Sequence, residues 1–158
     1  QLACDAIESN LQTMLKYDEI VWMPEKVDEL HQMRIAAKGL RYTIEVFTSI
    51  YPDKLKKQYQ AIRLTQEMLG NIHDLDVWKV FIPKFVSRET KQTLKYYGIT
   101  DPVHSLLPGL EQLEMDVIIK RDQTYKDFCQ KWLKWKNAKL WDGLSEKIHL
   151  PLNSNTPQ

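Results

Sequence analysis

The chain has 158 residues, of which 43% are hydrophobic and 27% are charged, and its formal net charge at pH 7 is +1. This composition is typical of one globular domain that is long enough to build a real core. Proteins that bind nucleic acid through their overall charge carry a strong excess of Lys and Arg, so any basic site here must be local. No apolar run approaches the length of a membrane span.

Two helices are predicted in the first third of the chain. Apolar residues at helical spacing place the first helix over residues 2 to about 22, and Pro24 separates it from the next. Three acidic residues at positions 25–29 favour a helix start there, because they lie in the positive first turn of the second helix. This second helix is expected to run to about Ile50 and to end at the Tyr-Pro pair formed with Pro52.

The next stretch is predicted to contain two helices with a break between them. The third helix covers about residues 52–69, and the Gly-Asn pair that starts at Gly70 is a typical stop at a helix C-terminus. Asp74 then caps a fourth helix. We expect Pro83 to kink or interrupt this helix before it ends near Gly98.

The last third is predicted to hold a long helix and a short one. Asp101 is the expected N-cap of the long helix, and a proline follows it at the first helical position. The long helix continues to about residue 138, with an interruption at Pro108 and the glycine after it. The short helix covers about residues 140–148. Residues 151–158 are polar and are expected to form a disordered tail.

No stretch alternates polar and apolar residues as a strand would, so the predicted fold class is all-α. Short connections predict an antiparallel bundle of about five to six helices, formed by residues 1–150 as a single domain. Cys4 and Cys129 lack CxxC spacing and are expected to be reduced thiols, which predicts a cytoplasmic protein. Since the sequence starts at Gln1 rather than Met, we expect it to be an excised fragment.

The second helix carries a row of cations beside its apolar face. At about 100° per residue, the apolar residues of this helix lie on one face, which comprises Leu30, Met33, Ala36, Ala37, Leu40, Ile44 and Phe47. Four further residues lie beside that face within about 80° of arc. We name them the cationic stripe, and they are His31, Arg34, Lys38 and Arg41. Tyr42 lies at the edge of the stripe, and Glu45 extends it by one turn. Because like charges along one face repel, we expect an anion to compensate the stripe.

On periodicity alone, two interpretations of the cationic stripe remain open. The stripe either binds an anion or is an ordinary solvated helix face. His31 either contacts the anion or has a structural role near the helix start. A second group of cations near the C-terminus is interpreted as solvated lysines beside tryptophans that pack on the bundle. These residues are Lys131, Lys134, Lys136 and Lys139 with Trp132, Trp135 and Trp141.

Two motifs resemble those of the CHAD family, the conserved histidine α-helical domains. The first is HxxRxxxKxLRYxxE, present here as His31, Arg34, Lys38, Leu40, Arg41, Tyr42 and Glu45. The second is the helix–turn–helix segment LQxxLGxxxDxxV, present here as Gln66, Leu69, Gly70, Asp74 and Val77. Together they cover about residues 30–80, with Thr65 in place of the first leucine of the second motif. The end of the chain, KWLKWKNAKLW, is also weakly similar to the end of such domains.

The resemblance implies a helical bundle that binds inorganic polyphosphate along a basic channel and performs no catalysis itself. Members of the family usually contain two helical repeats that face one another across the channel. This chain has one copy of the first motif and is most similar to the second repeat, so a second basic repeat or a symmetric partner chain is expected to complete the channel. Gly39 departs from the pattern, because many relatives carry a basic residue there that adds a phosphate contact.

The predicted polyphosphate-binding residues combine the stripe with its expected neighbours. Helix turns repeat every ~5.4 Å, so Arg34, Lys38 and Arg41 each meet a different phosphate. A helix after the tight turn at Pro52 should lie antiparallel beside the stripe, which adds Arg63 and Lys56. The full set is His31, Arg34, Lys38, Arg41, Arg63, Lys56 and Tyr42. No catalytic residue, metal ligand or cofactor is predicted.

Two other functions fit parts of the sequence. A metal-dependent phosphohydrolase of the helical HD type would use His31, the pair His73-Asp74 and a later aspartate such as Asp116, Asp122 or Asp127. That interpretation leaves the cationic stripe unexplained. A nucleic-acid or protein-interaction module is the other alternative, since RNA carries the same phosphate chemistry. Base recognition usually needs exposed aromatic residues beside the cations, however, and Tyr42 is the only aromatic near the stripe.

Overall fold

The computed structural model describes residues 1–51 and 53–149, and every secondary-structure element in these ranges is helical. Within them, six α-helices and one short 3₁₀ helix confirm the predicted all-α class and helical bundle. The α-helices are α1 Leu2–Leu15, α2 Val27–Val46, α3 Lys56–Tyr97, α4 Asp101–His104, α5 Leu107–Asn137 and α6 Asp142–His149, and the 3₁₀ helix is Glu19–Trp22. None of the described helices is both long enough and apolar enough to cross a membrane.

α3 is one continuous helix of 42 residues, so the stop predicted at Gly70 is wrong. Asp74 therefore lies inside a helix and is not an N-cap, and Pro83 lies inside the same helix. The physical reason is that a glycine stop needs positive φ, and among the described glycines only Gly98 has it, with a φ of 70°. Gly98 follows the last residue of α3, as predicted.

Several other helix boundaries differ from the prediction by a few residues. The first helix ends at Leu15, because Glu19–Trp22 forms a separate 3₁₀ helix rather than a continuation of α1. α2 ends at Val46 and α3 begins at Lys56, while Pro52 lies outside the described residues.

The predicted start of the long C-terminal helix also needs correction. Thr100, not Asp101, is the N-cap of the short α4. α5 begins at Leu107, so Pro108 lies in its first turn, where the missing N–H is harmless, and the interruption comes two residues earlier than predicted. The last helix, Asp142–His149, starts two residues later than predicted. The predicted tail at 151–158 lies outside the described residues.

The chain divides into two compact units, and the first contains Gln1–Gly70 and the residues from Asp127 onward. In this unit α1 packs against α2, and the apolar face of α2 predicted from the sequence is buried, except that Phe47 is only half-buried. Gly39 lies at the α1–α2 contact, since a Cβ there would be 3.2 Å from Asn10 Oδ1. A Cβ at position 39 would thus face α1, so glycine here allows the two helices to approach closely. The expectation that a basic residue at this position would add a phosphate contact stays a prediction.

The end of the first unit is closed by hydrogen bonds among three separate segments. The Cys4 thiol donates to the carbonyl oxygen of Ile148 at 3.0 Å, and the Tyr51 hydroxyl donates to the same oxygen at 3.3 Å. Burial, with the neighbouring Cys4, raises the pKa of Tyr51 to about 12. Cys4 and Cys129 are both free thiols. These contacts hold α1, the connection between α2 and α3, and α6 together.

The tryptophan-rich end of α5 packs into the first unit, as the sequence predicted. Trp132 is fully buried and Trp141 nearly so, whereas the four lysines of this segment are exposed. The Trp132 indole N–H donates to Asp18 Oδ1 at 2.7 Å, and Lys136 Nζ lies 2.5 Å from Asp18 Oδ2. Trp132 and Trp141 are therefore part of the hydrophobic core, and Lys136 pairs with the carboxylate that accepts the hydrogen bond from Trp132.

The second compact unit is Asn71–Lys126, a hairpin of the C-terminal part of α3 and the first part of α5. Its two helices are joined by an ion pair between Arg121 Nε and Asp76 Oδ1 at 3.0 Å. Both side chains are largely buried, at 12% and 11% exposure. Since residue 76 lies near residue 121 and Pro83 shares a groove with Leu110, the two helices run antiparallel.

The Asp18 carboxylate predicts a measurable acid sensitivity. Burial opposes its charged form, but the hydrogen bonds from Lys136 and Trp132 more than offset this and lower the pKa of Asp18 below its ordinary value. A carboxylate with a depressed folded-state pKa stabilises the protein above its unfolded pKa and loses that effect as pH falls through the folded value. We therefore expect Asp18→Asn to lower the melting temperature at pH 7 and to differ less from wild type near pH 3. Glu19→Gln, at a neighbouring exposed position, is the control and should show no such convergence. A difference in melting temperature between Asp18→Asn and wild type that stays constant from pH 7 to pH 3 would contradict this role of Asp18.

Candidate functional site

The cationic stripe lies along the contact between α2 and the first part of α3. At one end, the Tyr59 hydroxyl donates to Glu45 Oε1 at 2.7 Å. At the other end, Gly70 lies beside Arg34. α3 therefore runs antiparallel to α2 over residues 56–70, as expected for a helix after a tight connection. The stripe flanks the buried face of α2, and the structure brings Arg34 and the end of the stripe at Arg41 and Glu45 close to α3.

Arg34 lies directly beside Gly70, where the absence of a side chain leaves room for its guanidinium group. A Cβ atom on Gly70 would lie 3.3 Å from Arg34 Nε, closer than ordinary van der Waals contact. Arg34 is half-buried, and its Nε is buried without a hydrogen-bond partner. No carboxylate in the described part of the chain pairs with it. Buried donors are nearly always paired, so this guanidinium is prepared for an acceptor that the described residues do not supply.

Arg41 lies two turns further along α2 and has a similar buried Nε. That atom is 3.5 Å from Glu45 Oε1, which is an ion-pair distance but makes no hydrogen bond. The Arg41 side chain is 20% exposed, and its guanidinium lies 4.6 Å from the centre of the Tyr42 ring. Glu45 Oε1 also accepts the hydrogen bond from the Tyr59 hydroxyl, so its charge is shared between Arg41 and Tyr59. Arg41 is therefore only loosely compensated.

Lys38 lies between the two arginines and is exposed. Its Nζ is 5.7 Å from the centre of the Tyr42 ring, on which Arg41 also lies. Like Arg34, it has no carboxylate partner among the described residues. Tyr42 is 46% exposed and supports both cations through its ring face. The middle of the stripe is thus an exposed amine beside an aromatic ring.

Arg63 is brought to the same end of the site as Arg41 but is paired more closely. Its Nε lies 3.2 Å from Glu67 Oε1, and its side chain is 56% exposed. The hydrogen bond to Glu45 raises the pKa of Tyr59, and the positive charges of Arg41 and Arg63 oppose that shift. Both guanidinium groups therefore act on one tyrosine, which places them in one electrostatic neighbourhood.

Lys56 is the first residue of α3, two turns before Arg63. It is exposed and lines a groove of about 680 Å³ together with Arg63, Glu45 and Glu67. The groove also contains Asp53 and several apolar residues, which are Ile44, Leu55 and Leu64. A groove with three carboxylates and two cations is not an anion site by charge alone. Lys56 and Arg63 therefore form the margin of the site.

The remaining stripe member, His31, lies one turn before Arg34. It is half-buried, and its Nδ1 is shielded from solvent. Gln66, one turn before Gly70 on α3, has a buried Oε1 with no hydrogen-bond partner. The sequence motif included Gln66 and Gly70, but neither was predicted as a site residue. Their i,i+4 spacing places them on one face of α3 and was the available indication of a shared role.

The described residues offer little for the phosphohydrolase alternative. Among them, no three His, Cys, Asp or Glu side chains come together as a set that could hold a metal ion. Cys129 donates from Sγ to the carbonyl oxygen of Val21 at 3.3 Å, a packing role within the first unit.

Comparison with known families identifies one match. A family model described as "CHAD domain" matches residues 1–83 of the chain, which is more than half of its 158 residues. This range includes α1, α2 and the part of α3 that carries Gln66 and Gly70. Searches of curated proteins and of solved structures found no match.

The unpartnered state of Arg34 predicts how the protein responds to its removal. Replacing Arg34 by Met keeps the aliphatic volume and removes a buried donor without an acceptor, so we expect an unchanged or higher melting temperature. Arg121→Met is the matched control, because Arg121 is a largely buried arginine that is paired with Asp76. That control leaves a buried carboxylate unpaired and should cost about 3 kcal/mol in the free energy of unfolding. Denaturant unfolding measures the free energy of unfolding of each variant relative to wild type. Equal destabilisation by both substitutions would show that Arg34 is structural.

Proposed function

Because the chain belongs to the CHAD family, we propose that it binds inorganic polyphosphate along the cationic stripe of α2 and does not catalyse a reaction on it. CHAD domains are associated in general with polyphosphate binding and are generally non-catalytic binding modules. The observation that supports this proposal most is the buried Nε of Arg34, which lies against Gly70 without an acceptor. A phosphate oxygen is a suitable acceptor for that donor.

Arg34 and Lys38 are the primary contacts in this proposal, since neither is neutralised by a carboxylate among the described residues. A guanidinium presents a planar fork of donors to two oxygens, while an ammonium acts as a mobile point charge. Residues one helix turn apart are separated by ~5.4 Å along the axis. Successive phosphates of a linear chain can therefore be contacted by successive turns of α2, with Arg41 as the third.

The other predicted residues have secondary roles in this proposal. Arg41 and Arg63 contact the ligand only if phosphate competes with Glu45 and Glu67 for them. Tyr42 holds Lys38 and Arg41 in place through its ring, and Lys56 extends the basic margin. His31 donates from the first turn of the stripe, and a polyanion would favour its protonated form.

We propose further that a second basic surface completes the site. A linear polyanion held on one side only would remain exposed on the other, and the described part of α1 offers no basic residue between Leu2 and Leu15. Either a second repeat of the same kind or a symmetric partner chain would supply this surface. The chain alone should then bind less tightly than the completed assembly.

Substitution of the stripe tests the proposal directly. We expect Arg34→Ala combined with Arg41→Ala to weaken binding of long-chain polyphosphate by about a hundredfold or more, because each charged hydrogen bond contributes roughly 1.5–3 kcal/mol. Helicity and melting temperature should stay close to wild type, since both Nε atoms lack hydrogen-bond partners. The matched control is Lys131→Ala with Lys134→Ala, which removes the same charge from another exposed surface and should leave the affinity unchanged. Calorimetric titration measures the affinities, and equal losses in both double variants would contradict the site.

The ionic strength of the solution should control the affinity. Binding to a line of phosphates releases condensed counterions, so by analogy with nucleic acids the affinity should fall linearly with salt on a double-logarithmic scale. The slope should be smaller in the Arg34→Ala, Arg41→Ala variant than in wild type. An affinity that is flat between low and high salt would contradict a phosphate-backbone mode. Release of phosphate with Mg²⁺ or Mn²⁺, abolished by His73→Ala, would instead favour the phosphohydrolase alternative.

A further inference from the structure

The hairpin Asn71–Lys126 exposes more large apolar side chains than the rest of the described chain, although it is the shorter part. Thirteen of the twenty-one exposed large hydrophobic side chains lie in this unit, which is little more than a third of the 158 residues. Five apolar side chains of the hairpin are buried, and they are Ile72, Ile82, Val103, Val117 and Tyr125. Two helices can bury only the stripe where they touch, so their remaining apolar residues have no cover within the unit.

Part of this exposed surface is an ordered aromatic row on α3. The Trp78 and Phe81 rings meet edge to face with centroids 5.5 Å apart, and the Phe81 and Phe85 rings stack with centroids 5.9 Å apart. Arg88 continues the row, with its guanidinium carbon 5.7 Å from the centre of the Phe85 ring. Trp78 is 48% exposed and Phe81 is 45% exposed. Contiguous exposed aromatic side chains of this kind are typical of a protein interface.

In the part of the hairpin nearest its connecting loop, the charges divide between the two helices. Residues 79–95 of α3 contain five basic residues and one acidic residue, which gives +4, and residues 107–119 of α5 contain three acidic residues and no basic one, which gives −3. A surface that carries both signs in two parallel bands is complementary to a second copy of itself. A membrane-binding surface would instead be flanked by basic residues throughout.

We propose that this hairpin surface is a homodimer interface in which two hairpins form a four-helix bundle. Symmetry and charge together select the arrangement. A two-fold axis parallel to the helices places α3 of one copy opposite α5 of the other. The dimer then has two contacts, and in each of them a basic helix faces an acidic helix. A two-fold axis perpendicular to the helices would place α3 of one copy opposite α3 of the other. Two basic helices would then face and repel each other. The parallel axis also covers the aromatic row on both copies.

The first part of the test is the oligomeric state of the whole chain. We expect sedimentation velocity to show a dimer that dissociates on dilution, and Phe81→Glu to raise its dissociation constant at least about tenfold. Ile35→Glu is the matched control, because Ile35 lies on α2 and is 46% exposed, close to the value for Phe81. It should leave the dimer intact. A wild-type chain that stays monomeric at every concentration, or that binds anionic vesicles through Phe81 without dimerising, would overturn the proposal.

A charge exchange tests the proposed axis and does not depend on the aromatic variant. One variant carries Lys84→Glu, Arg88→Glu and Lys91→Glu, which changes the charge of residues 79–95 from +4 to −2. The other carries Glu111→Lys with Asp116→Lys, which changes the charge of residues 107–119 from −3 to +1. Each should be monomeric alone, because its two helices then have the same sign. An equimolar mixture should form a heterodimer, since each α3 then faces an α5 of opposite charge. If the variant altered in α5 still forms a homodimer, or if the mixture does not associate, the arrangement is wrong. Circular dichroism should show unchanged helicity in both.

Discussion

The close approach of Arg34 to Gly70 is the contact on which the candidate site depends. A Cβ at position 70 would lie 3.3 Å from Arg34 Nε, so glycine avoids a tight contact where a helix of 42 residues would otherwise prefer a side chain. The guanidinium that occupies this space is half-buried and yet has no acceptor for its Nε. Proteins rarely leave a buried donor in that state for stability, because the desolvation cost is about 1–3 kcal/mol. A ligand that supplies the acceptor gives this arrangement a physical reason.

The structure separates the predicted cations into two kinds. Arg34 and Lys38 have no carboxylate among the described residues, whereas Arg41 and Arg63 lie 3.5 and 3.2 Å from glutamate oxygens. An anion binds Arg34 and Lys38 without competition from a carboxylate. To bind Arg41 and Arg63 it must compete with Glu45 and Glu67. A net charge of +1 therefore conceals a small region of uncompensated positive charge. The affinity for a polyanion should depend on that region and on how far the ligand extends beyond it.

Much of the fold was predictable from the sequence, because helix periodicity is a local property. The buried face of α2 and the row of cations beside it follow from residue spacing alone, and the core role of Trp132 follows from its chemistry. The continuity of α3 was not predictable, since Gly70 and Asp74 resemble a stop and a cap until the space beside Arg34 is known. The orientation of Gly39 toward Asn10 likewise depends on the packing of α1. Compensation of Arg63 by Glu67 was visible as an i,i+4 pair, but its consequence for binding was not.

The state of the Arg34 Nε–H group in solution is the most direct measure of this account. Nitrogen-15 NMR of arginine side chains, followed during titration with long-chain polyphosphate, reports each Nε–H separately. We expect the Arg34 resonance to shift first and to become protected from exchange with water, ahead of that of Arg63. A titration in which Arg63 shifts and Arg34 stays unchanged would contradict it, because the ligand would then be bound at the margin and not at the buried donor.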